Sequence, residues 1–217
     1  MPSQREFDTK LRELSNYVER IGDEVTGEVE GEADGSPLHG YECDHGGHKY
    51  RIIGTQDWEY FILRYSYQIY GDYAVAQKLQ RAEVPEASEN QEVNINVDLT
   101  DQDLQNAKEE LYQQLSQESQ EEVAQVRQKM IQMLSTPESA ISFVPDDSQQ
   151  IHGFNIDRKI FPYSERFGLS EFNRSVQTVV SLGFKGVEYL KNSYGIRNIS
   201  ISQSSTKQDH LRDRGFR

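Results

Sequence analysis

The segment "GYECDHGGHKYRI", residues 40–52, decides the fold because it can pair with itself around Gly46-Gly47. A Gly-Gly dipeptide between two alternating segments is a strong signal for a two-residue hairpin turn. Folding at this turn pairs opposite charges on one face: Asp44 with Lys49, and Glu42 with Arg51. The other face then holds three further pairs: Tyr41 with Ile52, Cys43 with Tyr50, and His45 with His48. We therefore predict an antiparallel hairpin with one covered, largely apolar face.

The stretch that follows, "WEYFILRYSYQI" (58–69), alternates like a further strand. We expect a turn at 54–57 to set Phe61 beside Tyr50, which gives a three-stranded meander over residues 39–69. The preceding glycine- and acid-rich stretch, 23–40, is expected to begin as an irregular strand and to end as a loop. A second strand pair is predicted within 140–163, around a turn at Pro145–Gln149.

Apolar residues at helical spacing predict three helices. Ser3 and Glu6 form a capping box for a helix over 4–21. Thr100 begins a long central helix over 101–135, although the polar gap "SQESQEE" (116–122) means that this helix either breaks near 116–121 or projects at one end. Ser170 opens a C-terminal helix, in which Gly183 is expected to let a neighbouring backbone approach closely.

Strands that cluster apart from the helices predict an α+β fold, with an antiparallel sheet and N-terminal, long central and C-terminal helices. We expect residues 1–196 to form a single domain with a polar insert near 70–99. Within the insert, residues 72–81 have a short helical pattern and residues 92–99 alternate like a strand. Residues 197–217 are predicted to be a mobile basic tail.

The net charge of −13 sets limits on partners and surroundings. An acidic surface repels nucleic acid and anionic membranes, so we expect neither as a partner. An excess of acid suits a halophilic protein, and it also occurs in ordinary acidic proteins. No run of 18 apolar residues occurs, and residues 1–10 lack an apolar signal core, so a cytoplasmic location is expected.

Cys43, His45 and His48 raise the possibility of a metal site, because thiolate and imidazole are zinc ligands. A structural zinc site needs a fourth ligand, however, and the hairpin register leaves His39 two pairs further down the strand. The alternative is a tight turn that carries exposed imidazoles, with Cys43 as a small buried apolar residue. We predict no metal and no cofactor, and we keep a metal-dependent enzyme or metal sensor as an alternative. The sequence has no phosphate-binding loop or nucleophile elbow.

An aromatic run offers a candidate surface for binding a partner. Both faces of the strand at 58–69 carry apolar side chains, so something must cover the second face. The candidate contact residues are Trp58, Tyr60, Tyr65, Tyr67, Tyr70 and Tyr73. Tyr and Trp are favoured interface residues, but aromatic side chains also fill cores, so internal packing is the alternative. The acidic segment 82–122 is either a solvated face or a docking surface for basic partners.

The order of these elements resembles that of the type III secretion chaperone-like superfamily, which includes YbjN-type regulators. The segments that carry the resemblance are the meander at 39–67, the pair "ISFVP" (141–145) and "HGFNID" (152–157), and the closing helix at 170–195. The insert near 70–99 and the long central helix depart from the compact pattern. The resemblance implies a dimerising, non-catalytic protein that binds other polypeptides.

We therefore predict a non-catalytic protein-binding module, chaperone-like or adaptor-like, that acts as a homodimer or in a complex. Its partner would be another polypeptide or a second copy of the chain. The alternatives are the metal-dependent enzyme or sensor described above and a structural subunit of a larger assembly.

Overall fold

The computed structural model describes residues 2–81, 100–115, 119–144 and 150–195. The elements that it assigns are α1 (Gln4–Arg20), β1 (Glu24–Ala33), β2 (Ser36–His45), β3 (His48–Thr55), β4 (Phe61–Gln68), α2 (Tyr70–Arg81), α3 (Asp101–Leu115), α4 (Gln120–Leu134), β5 (Ser139–Val144), β6 (Gly153–Ile160) and α5 (Leu169–Ser193). The strands form one antiparallel sheet in the order β1-β2-β3-β4-β6-β5. The predicted α+β class with an antiparallel sheet is confirmed.

The hairpin between β2 and β3 has the register that the sequence predicts. His45 lies opposite His48. The further pairs are those predicted: Asp44–Lys49, Cys43–Tyr50, Glu42–Arg51 and Tyr41–Ile52. Gly46 and Gly47 have φ angles of 58° and 89°, a region that glycine enters without steric cost. Both central residues of a type I′ turn need a positive φ, so the Gly-Gly dipeptide holds the register in place.

A second hairpin precedes this one, and here the sequence prediction was wrong. The end of the stretch 23–40 was expected to be a loop, but Ser36 already begins β2 and pairs with Ala33 of β1. Asp34 and Gly35 form the connecting turn, with φ angles of 54° and 79°. Asp-Gly is itself a hairpin turn signal. The meander therefore has four strands rather than three.

The register between β3 and β4 also differs from the prediction. Ile52 lies opposite Leu63, and a Cβ atom on Gly54 would lie 2.7 Å from the ring of Phe61. Phe61 therefore sits beside Gly54 rather than beside Tyr50. The predicted face was right, because Phe61 and Tyr50 are both buried on the covered side of the sheet.

The predicted central helix over 101–135 is two helices, α3 and α4. Hydrogen bonds between Thr100 and Asp103 cap the start of α3. Ser119 and Glu122 form a complete capping box at the start of α4. A capping box satisfies the free backbone N–H groups of a new helix, which favours a break at this point. The structure thus selects the break over a projecting end.

The first part of the predicted insert is helical, as its pattern indicates, and forms α2. This helix packs against α3. Residues 82–99, with the strand predicted at 92–99, lie outside the described residues. The turn at 145–149 and the predicted tail at 197–217 also lie outside them.

Helices α1, α4 and α5 pack on one face of the sheet. Phe7 of α1 stacks on Phe61 with ring centroids 5.2 Å apart. Cβ atoms on Gly183 and Gly186 of α5 would lie 2.5 Å from the rings of Tyr65 and Phe154. The close neighbour of Gly183 is therefore an aromatic ring and not the backbone that the sequence analysis expected. Within the described ranges, no helix is long and apolar enough to cross a bilayer.

Candidate functional site

The loop between α1 and β1 places a carboxylate beneath the β2–β3 hairpin. The side chain of Asp23 is 3% exposed. One of its oxygens lies 2.7 Å from His45 Nδ1, and the other accepts a hydrogen bond of 2.9 Å from the hydroxyl of Tyr50. Tyr50 is buried, and burial raises its pKa far above the ordinary value, so the hydroxyl stays protonated and donates. This cluster ties α1 to the hairpin.

The hairpin residues proposed as metal ligands do not converge. His45 faces Asp23, whereas the ring of His48 meets the ring of Phe184 on α5 at 5.6 Å. Cys43 is buried in the hydrophobic core. Across the described part of the chain, no three side chains of His, Cys, Asp or Glu form a group that could hold a metal ion. The geometry gives no support to the metal-dependent alternative.

We expect the Cys43 thiol to be unreactive in the folded protein. Its exposed fraction is 0%, and burial raises its pKa to about 12. At pH 8 about one thiol in ten thousand would then be ionised, and the thiolate is the nucleophile. Ellman's reagent should label Cys43 only after urea unfolds the chain. Rapid labelling of the native protein would contradict this burial.

The sheet face opposite the helices, called the open face below, is divided by a row of charges. Four residues in register across β2, β3, β4 and β6 form this charge row: Glu42, Arg51, Arg64 and Asp157. Arg64 forms a two-point contact with Asp157, at 2.7 and 2.6 Å. Burial alone would raise the pKa of Glu42, but hydrogen bonds from Lys49 and Arg51 hold it below its usual value. The charges of the row are thus balanced within the face.

One side of the charge row is apolar and ends in three aromatic rings. Trp58 stacks on Tyr60 with ring centroids 5.1 Å apart. Phe161 meets Tyr60 edge-on at 6.2 Å, and the ammonium of Lys159 lies 4.2 Å from the Tyr60 centroid. We call Trp58, Tyr60, Lys159 and Phe161 the aromatic cluster. Phe161 is 51% exposed, although it is a large apolar side chain.

Two isoleucines connect the aromatic cluster to the charge row. Ile62 is half-buried and lies between Lys159 on β6 and Ile53 on β3. Ile53 is already buried within the open face. The apolar half of the open face therefore comprises Ile62 and the aromatic cluster, with Ile53 beneath them. Such a surface suits contact with another apolar surface.

The six aromatic residues proposed from the sequence do not form one surface. Trp58 and Tyr60 lie in the aromatic cluster, as just described. Tyr65 is 7% exposed and lies under Gly183, so internal packing is the interpretation that fits it. Tyr67 packs against Phe154 and donates a hydrogen bond to Asp72 of α2. Tyr70 and Tyr73 are partly buried against the core.

Phe161 and Lys159 were missed in the sequence analysis. Lys159 lies near the end of β6 and Phe161 directly follows that strand, about a hundred residues beyond Trp58 in the sequence. β6 is the neighbour of β4 in the sheet. The register Phe61–Ile160 brings them together. The alternation of residues 153–161 could have placed them on one face of a strand, but it could not have identified the neighbouring strand.

Comparison of the sequence with protein-family models and with curated proteins gave no match. Comparison with solved structures found similarity to an uncharacterized protein from Methanothermobacter thermautotrophicus, known from its crystal structure. The TM-score is 0.55 at 9% sequence identity, and the match covers 86% of this chain and 99% of that chain. At this level of identity the similarity concerns the fold alone.

Proposed function

We propose that the protein is a non-catalytic protein-binding module that works as a homodimer. The apolar half of the open face docks against the same surface of a second copy. The observation that carries this proposal is the half-exposed aromatic cluster, which lies on the opposite side of the sheet from helices α1, α4 and α5.

The aromatic cluster suits docking because its rings are already held in place. Trp58 and Tyr60 stack on each other, and Lys159 lies over Tyr60. Side chains that are ordered before binding lose little conformational freedom when a partner arrives. Trp and Tyr are also the residues that most often dominate binding energy at interfaces.

The distribution of charge favours a second copy as the occupant. With a net charge of −13, two chains repel each other over most of their surfaces. On the open face, however, Arg51 and Lys49 neutralise Glu42, and Arg64 neutralises Asp157. Two such charge rows can approach without bringing unbalanced carboxylates together. The charge row would then form a hydrated rim along one side of the apolar contact.

Symmetry supports the same choice. In a two-fold dimer one patch meets its own copy, and this is the commonest arrangement of homo-oligomers. A chaperone-like or adaptor-like role, which the resemblance to the type III secretion chaperone-like superfamily implies, extends the proposal to a further polypeptide that the dimer would bind.

The test is the substitution Phe161→Ser. We expect it to weaken the dimer at least tenfold, because a hot-spot aromatic side chain contributes about 2 kcal/mol or more to binding. Sedimentation equilibrium gives the dissociation constant. The matched control is Phe184→Ser on α5, where another phenylalanine is 45% exposed. We expect the control to keep the dissociation constant of the wild type.

Equal weakening by the two variants would show that the dimer does not depend on the open face. A Phe161→Ser variant that dimerises like the wild type would also overturn the proposal. Circular dichroism spectra of both variants that match the wild type show that neither substitution has disturbed the fold.

A further inference from the structure

A cleft of about 300 Å³ opens where β5 and β6 meet the start of α5. Three arginines line it: Arg158, Arg166 and Arg174. The cleft also contains two carboxylates, Glu138 and Glu171, and the first turn of α5 at Gly168 and Ser170. Three guanidinium groups around one cleft are unexpected in a chain with 36 acidic residues and 23 lysines and arginines.

Arg158 is the fixed, buried member of this group. It is 8% exposed, and its Nε donates a hydrogen bond of 3.1 Å to the hydroxyl of Ser175 on α5. Its terminal nitrogen forms an ion pair with Glu138. A buried guanidinium held from two sides provides a preorganised positive charge in the cleft wall.

A buried hydroxyl without a partner lies next to this arginine. Ser139 is 5% exposed, and its Oγ atom has no hydrogen-bond partner among the described residues. Ser139 pairs with Arg158 across β5 and β6, so their side chains point to the same face of the sheet. Ser139 also follows Glu138, which lines the cleft. Ser139 itself does not line the cleft, so its hydroxyl is not one of the groups that face an occupant.

The other two arginines are exposed and available. Neither Arg166 nor Arg174 has a carboxylate oxygen within 4.0 Å in the described part of the chain. The N-cap residue of α5, Gly168, has no side chain to cap the 25-residue helix. Free backbone N–H groups at a helix start add to the attraction that the arginines exert on an anion.

We propose that this cleft binds a phosphate-type oxyanion, either inorganic phosphate or the phosphoryl group of a monoester. The tetrahedral anion would accept hydrogen bonds from Arg166 and Arg174 and from the first turn of α5, with Arg158 as the fixed charge behind it. Planar guanidinium groups suit such two-point recognition of phosphate oxygens. The cleft lies on the helix-bearing side of the sheet, so this proposal is independent of docking at the open face.

The experiment is isothermal titration calorimetry at constant ionic strength, with sodium phosphate in one arm and O-phosphoserine in the other. We expect saturable binding of at least one probe by the wild type, and at least fivefold weaker binding by Arg174→Gln and by Arg166→Gln. The matched control is Arg12→Gln on α1, which removes the same charge at an exposed position outside the cleft and outside the open face. We expect the control to bind as the wild type does.

A substitution of opposite sign sharpens the test. Glu138→Gln removes the carboxylate that neutralises Arg158, so we expect about threefold tighter binding of the probe. Glu32→Gln on β1 changes the net charge equally, lies outside the cleft and should change nothing. Thermal unfolding of each variant confirms that the fold is kept.

Tighter binding of phosphoserine identifies a monoester as the source, and tighter binding of inorganic phosphate identifies the free ion. Both outcomes support the proposal. It is overturned if neither probe saturates the wild type by about 10 mM. It is also overturned if Arg12→Gln weakens binding as much as Arg174→Gln does.

Discussion

Replacing Gly183 with valine is expected to lower the free energy of unfolding by about 3 kcal/mol, which is at the upper end of the cost of overpacking a core. A Cβ atom at this position would lie 2.5 Å from ring atoms of Tyr65, a buried side chain that is 7% exposed. The helix α5 would have to lift from β4. Urea unfolding followed by circular dichroism measures the loss.

The control for this substitution is Gly71→Ala in α2. An added Cβ atom at Gly71 meets no atom within 4 Å. Alanine has the higher helix propensity, so the free energy of unfolding should stay the same or rise by up to about 1 kcal/mol. A Gly183→Val variant as stable as the wild type would show that α5 does not seat on Tyr65 as described.

The substitution Asp23→Ala is expected to cost about 2 kcal/mol of stability. It removes the acceptor of the buried Tyr50 hydroxyl and the partner of His45. A buried donor has lost its hydrogen bonds to water. Without an acceptor in the folded protein, most of that free-energy cost is not offset. Urea unfolding at pH 7 gives the difference from the wild type.

A double-mutant cycle with Tyr50→Phe isolates the hydrogen bond in this cluster. In the Tyr50→Phe background no hydroxyl is left unpaired, so Asp23→Ala should cost at least about 1 kcal/mol less than in the wild type. Additive effects of the two substitutions would contradict a direct interaction between Asp23 and Tyr50.

Local sequence signals were enough to predict the centre of the sheet. The Gly46-Gly47 turn and the pairs Asp44–Lys49 and Glu42–Arg51 lie within ten residues, and each is a short-range pattern. The capping box at Ser3 and Glu6 is equally local, and α1 begins there with the expected hydrogen bonds. Short-range patterns of this kind depend little on the rest of the fold.

The errors have identifiable physical causes. β1 was expected only as an irregular beginning of a strand, because it is an edge strand with Glu28, Glu30 and Glu32 at alternate positions, and charge on an edge strand hides its β pattern. The Asp34-Gly35 turn was available as a signal and was not used. The break before α4 was also encoded, because Ser119 and Glu122 form a capping box inside the polar gap.

The candidate site needed long-range information. Trp58 and Tyr60 come from the β3–β4 connection, whereas Lys159 comes from the end of β6 and Phe161 directly follows it. β4 and β6 are neighbours in the sheet, and their pairing brings these residues together. In the sequence, α2, α3, α4 and β5 lie between the two strands. No local periodicity specifies which strands become neighbours, so the aromatic cluster could not be assembled from the sequence.

The central claim is that the open face docks a second copy of the chain. The most direct test is the molar mass of the wild-type protein by light scattering at about 0.1 mM, in low and in high NaCl. We expect twice the chain mass of 25.1 kDa, with tighter association in high salt because salt screens the repulsion between two chains of charge −13. A mass of 25.1 kDa at every salt concentration would contradict it.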